Sequence, residues 1–240
     1  MQYLGGKSRI AKPLAAYLES RREGRYFVEP FCGALSVTVE MTGPRLASDA
    51  SPYLFSLYRA LREGWEPPDT VSEQLYAEVQ ARKDPEDPLT AFVGYGCSFG
   101  GKFFGGYARV SNPDTANRGR HPSPYANAAR KTLLRKMARC SSVVFACEEY
   151  SALRPTKGCL VYCDPPYAGT TGYSAVGEFD SVAFWQWVRD TSARGVLVLV
   201  SEYKAPQDFT CVWEVSRPAE LQGKDKQAGR VERLFEWSGR

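Results

Sequence analysis

One histidine, His121, stands in 240 residues, and the seven cysteines (32, 97, 140, 147, 159, 163 and 211) include no C-x-x-C pair. One histidine and no C-x-x-C argue against a zinc site, and the odd count argues against a disulfide framework. Reduced thiols packed as small apolar side chains are the reading that remains. No apolar run approaches the ~20 residues that a membrane-spanning helix needs. The opening residues "MQYLGGKSRI" carry no apolar core of leader length. The expectation is a cytoplasmic protein of a prokaryotic or phage-infected cell, without membrane or metal and monomeric in solution. The glycine pattern G-x-G-x-x-G is absent. "GGKS" at 5–8 lacks both the preceding strand and the earlier glycine of a phosphate-binding loop, which excludes that reading as well.

Net charge is only +4, but it is unevenly spread. Between Pro88 and Cys147 lie nine basic residues (Lys102, Arg109, Arg118, Arg120, Arg130, Lys131, Arg135, Lys136, Arg139) and one acid, Asp114. That block is +8 (nine minus one), which leaves −4 for the remainder of the chain. A basic block inside an acidic protein suggests a polyanion surface, and the stretch "GGKFFGGYARVSNPDTANRGRHPSPY" within it has the length of a functional loop. A solvated helix face is the plainer alternative for any charge run.

The order of patterns is that of a parallel α/β sheet. A helix is expected over 8–22, a strand over 25–30, a helix through 31–41, a strand over 44–50 and a helix over 51–64. In the last of these Ser51 serves as N-cap, Pro52 as first residue and Gly64 as terminator. Helices are expected over 69–83, 88–99 and 125–140. Strands follow at 141–147, 158–163 and 196–202, with a helix over 181–195 between the last two. "FTCVWEVS" and "RVERLFEW" form a terminal hairpin. This divides the chain into an α/β domain, 1–64 with 141–240, and a mostly helical insert, 65–140.

Ligands of such sheets bind outside the carboxyl ends of the strands. Three features fall there: Glu29-Pro30-Phe31-Cys32-Gly33, Asp49 and Asp164-Pro165-Pro166-Tyr167. The glycine turn lets a ligand approach the backbone, and an acid closing the second strand suits a ribose diol. "DPPY" has two readings. The prolines stop a strand, since neither can donate to a ladder. They also stiffen two acceptors, the Asp164 carboxylate and the Pro165 carbonyl, that can receive both N–H groups of an exocyclic base amine and raise its nucleophilicity. Tyr167 can stack on that base.

With these residues in their order, the chain resembles the Dam-type (D12 class, α-group) DNA adenine-N6 methyltransferases. "YLGGKS" and "VEPFCGALSV" are similar to that family's cofactor motifs, "LASDAS" to its acidic motif, "YGCSFGGKFFGGYAR" to the start of its target-recognition region and "DPPY" to its catalytic motif. The resemblance implies a Rossmann-like S-adenosylmethionine-dependent methyltransferase sheet, with the insert recognising double-stranded DNA. It implies S-adenosylmethionine contacts at Tyr3, Gly5, Gly6, Lys7, Glu29, Phe31, Gly33, Asp49 and Asp164. Catalysis on a flipped-out adenine falls to Asp164, Pro165, Pro166 and Tyr167. The basic residues Lys102, Arg109, Arg118 and Arg120 of the recognition region are expected to contact DNA, on phosphates before bases. Leu35 departs from the motif, standing where the family usually has its second glycine. Methylation of another planar amine, and a DNA-binding module without catalysis, are the competing readings.

Overall fold

The computed structural model describes residues 1, 5–109, 125–166, 179–216 and 231–239. Tyr3, Tyr167, Arg118 and Arg120 lie outside them. The elements run α1 (Ala11–Arg22), β1 (Tyr26–Glu29), β2 (Arg45–Ser48), α2 (Pro52–Arg62), α3 (Glu73–Arg82), α4 (Pro88–Gly96), α5 (Tyr125–Met137), β3 (Val143–Ala146), β4 (Cys159–Cys163), α6 (Ser181–Ala193), β5 (Leu197–Glu202), β6 (Phe209–Ser216) and β7 (Val231–Trp237). Single 3-10 turns occupy Phe99–Gly101 and Tyr150–Ala152.

The seven strands form one sheet in the order β3-β2-β1-β4-β5-β7-β6. β3, β2, β1, β4 and β5 are parallel, and β7 enters antiparallel between β5 and β6. The expected terminal hairpin is thus present, with a bulge between Cys211 and Trp213. Its second strand, not its first, pairs with β5, which leaves β6 at the sheet edge.

Period-two alternation divides the strand residues between two buried faces, as in a sheet covered on both sides. Phe27, Leu160, Tyr162, Leu197 and Leu199 pack with Leu14 and Leu18 of α1. Val28, Val161, Cys163, Val198 and Val200 pack with Phe184, Trp185 and Val188 of α6. A third cluster joins Leu54 and Leu57 of α2 to Tyr76 and Val79 of α3, Phe92 of α4 and Leu133 of α5. The helices of the 65–140 segment therefore share a core with α2 and with Leu35, Val39 and Ala47 of the α/β part.

The helix expected through 31–41 is not formed. These residues run as successive turns, because Gly33 (φ 43°) and Leu35 (φ 58°) both take the left-handed conformation. A left-handed leucine costs about 1–2 kcal/mol, and the bonds that hold it are part of the site. Ser51 precedes α2 as expected, with Pro52 at its first position, but its hydroxyl makes no cap bond. Asp49 Oδ1 accepts from Ser51 N instead (3.0 Å). The side-chain caps that form among the described residues are Ser72 on α3, Asp87 on α4 and Asp180 on α6. All seven cysteines are free and five are buried. No helix among the described residues is long and apolar enough to cross a membrane.

Candidate active site

The strand order reverses between β2 and β4, on either side of β1. Neighbouring chain crossovers diverge at such a point, leaving a crevice at the carboxyl ends of the strands. Glu29 ends β1, Asp49 follows β2 directly and Asp164 follows β4 directly.

Lys7 joins this edge from the other end of the chain. α1 packs Leu14 and Leu18 beneath the sheet, which carries the turn before it, with Gly5 at φ 78°, to the strand ends. Lys7 Nζ donates to Asp164 Oδ1 at 2.6 Å and lies 3.6 Å from Glu232 Oε2 of β7. Lys7 is 2% exposed and Glu232 1%. A buried ammonium needs close anionic partners to offset its lost hydration, and β7 supplies one because its antiparallel course starts at the same edge where β4 and β5 end. Asp164 keeps partial access, with 18% of its side chain exposed. Pro165 is buried and Pro166 half-buried.

Asp49 and Gly33 form the second focus. Asp49 Oδ2 accepts from Gly33 N at 2.9 Å, so the carboxylate fixes the glycine turn as well as the start of α2. Burial still raises its carboxyl above the ordinary range, against the lowering effect of the Ser51 and Gly33 N–H groups. The Ser51 hydroxyl beside it is buried and has no hydrogen-bond partner among the described residues. Gly33 O accepts from Tyr58 Oη. Phe31 stacks on Tyr150 at 5.4 Å and meets Phe179 and Phe184 edge-on at 6.0 and 5.7 Å.

Glu29 is buried and accepts from Thr38 Oγ1. Burial, with the nearby Asp164 charge adding to it, pushes its carboxyl up to about 8 despite the Thr38 bonds. This shift favours its neutral form, and Glu29 braces the 31–41 turn through Thr38. Cys163 is fully buried on the α6 face, and burial raises its thiol well above the ordinary range. It has neither the access nor the ionisation of a nucleophile.

Part of the basic block has partners within the chain. Lys136 Nζ donates to Ala34 O and lies 3.5 Å from Ser36 Oγ. Arg139 makes a two-pronged pair with Glu40 at 2.9 and 3.0 Å. Arg130 pairs with Glu66, and Arg109 with Glu73. Four of the seven block cations among the described residues are therefore engaged within the chain. Lys102 is exposed on the turn after Phe99–Gly101, and Arg109 is exposed although paired. Sequence reading missed Glu232, Tyr58 and Thr38. It placed Lys136 with the polyanion-facing charges, and no signal in the sequence marked it otherwise.

Parallel strands with an antiparallel seventh strand inserted before the sixth, and acids at the ends of β1, β2 and β4, define a Rossmann-like methyltransferase fold. The sequence profile of the D12 class N6 adenine-specific DNA methyltransferases matches residues 3–88. A DNA adenine methylase of Vibrio cholerae is 26% identical, over 92% of this chain and 85% of the relative. One of Salmonella typhi is 30% identical over 70% of this chain and 64% of the relative. The solved structure of an rRNA methyltransferase from Streptomyces viridochromogenes aligns over 94% of this chain and 84% of that one, with TM-score 0.37 and 11% identity. The chain is thus similar to the D12 class N6 adenine-specific DNA methyltransferases over residues 3–88, and to DNA adenine methylases over most of its length.

Proposed function

We propose that this chain moves a methyl group from S-adenosylmethionine to N6 of an adenine turned out of double-stranded DNA, with Asp164 as the group that engages the amine. The supporting observation is the meeting of Lys7, Asp164 and Glu232 at the carboxyl end of β4, on the same sheet edge as the Asp49–Gly33 contact.

The turn after β1 and the end of β2 fit such a donor. Asp49 has one N–H on each carboxylate oxygen, and each oxygen keeps a further lone pair for a ribose hydroxyl. The buried Ser51 hydroxyl, unpartnered among the described residues, is a polar atom that a ligand could satisfy. Phe31 brings an aromatic face to the same turn. When bound, S-adenosylmethionine supplies a methyl group on a positively charged sulfur, ready for direct displacement.

The chain's own residues prepare the acceptor. An adenine amine is a weak nucleophile because its lone pair is delocalised into the ring. Asp164 accepts one N–H and the Pro165 carbonyl the other. As the nitrogen becomes positive, both acceptors are already in place and need not reorganise. Lys7 fixes the Asp164 carboxylate through Oδ1. The prolines hold the backbone. Tyr167, outside the described residues, stacks on the base. No covalent enzyme intermediate is needed, in keeping with the burial of Cys163. The 65–140 segment carries the DNA contacts, with Lys102 and Arg109 on phosphates, joined by Arg118 and Arg120 from outside the described residues.

The test is methyl transfer to duplex oligonucleotides that differ at one base, combined with single-molecule sequencing of host DNA after expression. N6-methyladenine in one sequence context is the expected result. Methyl transfer to cytosine alone, or none with a bound donor, overturns the proposal.

A further inference from the structure

The strain at Leu35 requires a restraint. Leu35 is completely buried at φ 58°, a conformation in which its Cβ crowds the following carbonyl. Such a residue persists only where its surroundings over-determine it. Three contacts bracket it. Asp49 holds Gly33 N at 2.9 Å, Tyr58 Oη donates to Gly33 O, and Lys136 Nζ donates to Ala34 O, the carbonyl immediately before Leu35. The first two come from the α/β part. The third comes from the last turn of α5, and Ser36 Oγ at 3.5 Å places the same ammonium across both flanks of Leu35.

We infer that Lys136 is a positioning residue for the methyl donor: it holds the Gly33–Ser36 turn in the shape that accepts the ligand and so compensates for a leucine where the backbone suits glycine. Burial supports a fixed role of this kind, since it lowers the Lys136 ammonium to about 8 and a freely exposed lysine shows no such effect. The inference deepens the proposed function and rests on its donor reading for the affinity measurement alone. The turn's rigidity can be measured without any ligand.

The experiment compares wild type, Lys136→Met, Leu35→Gly and the double variant. Calorimetry reads the affinity for S-adenosylhomocysteine, and hydrogen exchange reads the amides of residues 33–36. Lys136→Met should weaken binding about tenfold in the wild-type background and speed exchange at these amides. In the Leu35→Gly background, where the turn is unstrained, the same change should cost markedly less. Equal losses in both backgrounds would show that Lys136 only packs, and would overturn the inference, as would no loss in either. Should Leu35→Gly not fold, Lys136→Arg replaces it. Arginine should restore slow exchange at 33–36 where methionine does not, and failure of that rescue also overturns the inference. If wild type binds no ligand while the exchange pattern follows expectation, the donor reading has failed and the restraint stands.

Discussion

Lys7 Nζ lies 2.6 Å from Asp164 Oδ1, across 157 residues of chain. The contact brings the glycine turn before α1 and the strand-ending acid of β4 into one buried cluster, which Glu232 completes at 3.6 Å from the same ammonium. Asp164→Asn keeps the shape but removes the charge that meets the developing cation on N6. Turnover should fall about 10²–10⁴-fold, with duplex affinity nearly unchanged. Single-turnover kinetics beside fluorescence anisotropy checks this, and retention of most of the activity would refute the role assigned to Asp164. Lys7→Met leaves two carboxylates without this shared partner and should destabilise the protein by roughly 3 kcal/mol in chemical denaturation.

Glu29 carries a pH dependence of defined sign. Its folded-state carboxyl is raised to about 8 from an ordinary value of 4.5. The folded state thus binds more protons than the unfolded one between these values, and the stability it contributes is fully present below about 4.5 and is lost as pH rises toward 8. Its largest slope is about 1.4 kcal/mol per pH unit. Glu29→Gln should flatten this part of the stability profile, with a gain relative to wild type that grows from pH 5 to pH 8. Urea denaturation across that range measures it, and parallel profiles for the two proteins would count against the buried, protonated Glu29.

Arg109 and Glu73 form an exposed pair, so a phosphate that engages Arg109 competes with Glu73. Glu73→Ala should tighten duplex binding and steepen its salt dependence. Lys102→Ala should weaken binding and reduce the slope of log K against log salt by about 0.9, one phosphate contact. Anisotropy titrations between low and physiological salt read both effects. A Lys102 variant with an unaltered slope excludes that residue from the phosphate contacts.

Asp49→Ala removes the acceptor of two backbone N–H groups, Gly33 and Ser51. Loss of a buried group's partner costs about 1–3 kcal/mol. Thermal unfolding should therefore come at lower temperature, and S-adenosylhomocysteine, which raises the wild-type midpoint if it binds the folded state, should give a smaller rise in the variant. An undiminished rise would remove Asp49 from the donor site.

Much of this arrangement is legible in the residues themselves. Phe27 against Val28, and Leu160 and Tyr162 against Val161 and Cys163, alternate between two apolar faces, and that alternation is visible before any fold is known. So are Pro52 at the start of α2 and the acids that follow the strands, because both depend on local backbone chemistry. The 31–41 segment misleads for the same reason: its apolar spacing reads as a helix, but spacing does not reveal that Tyr58 and Lys136, far along the chain, take the carbonyls of Gly33 and Ala34. The charge of residues 88–147 is likewise plain in composition, yet composition does not separate Lys102 on the surface from Lys136 inside.

The strands, their acidic ends and the stiff Asp-Pro-Pro segment can be read from the residues alone, since each follows from side-chain periodicity or from restrictions on single backbone angles. Which charges are partners is set by the packing of distant segments. Lys7 reaches Asp164 and Glu232, and Lys136 reaches Ala34, because the sheet order places β4 and β7 near the opening turn and shared packing places α5 over the turn after β1. Those pairings depend on distance through space, which no local spacing encodes.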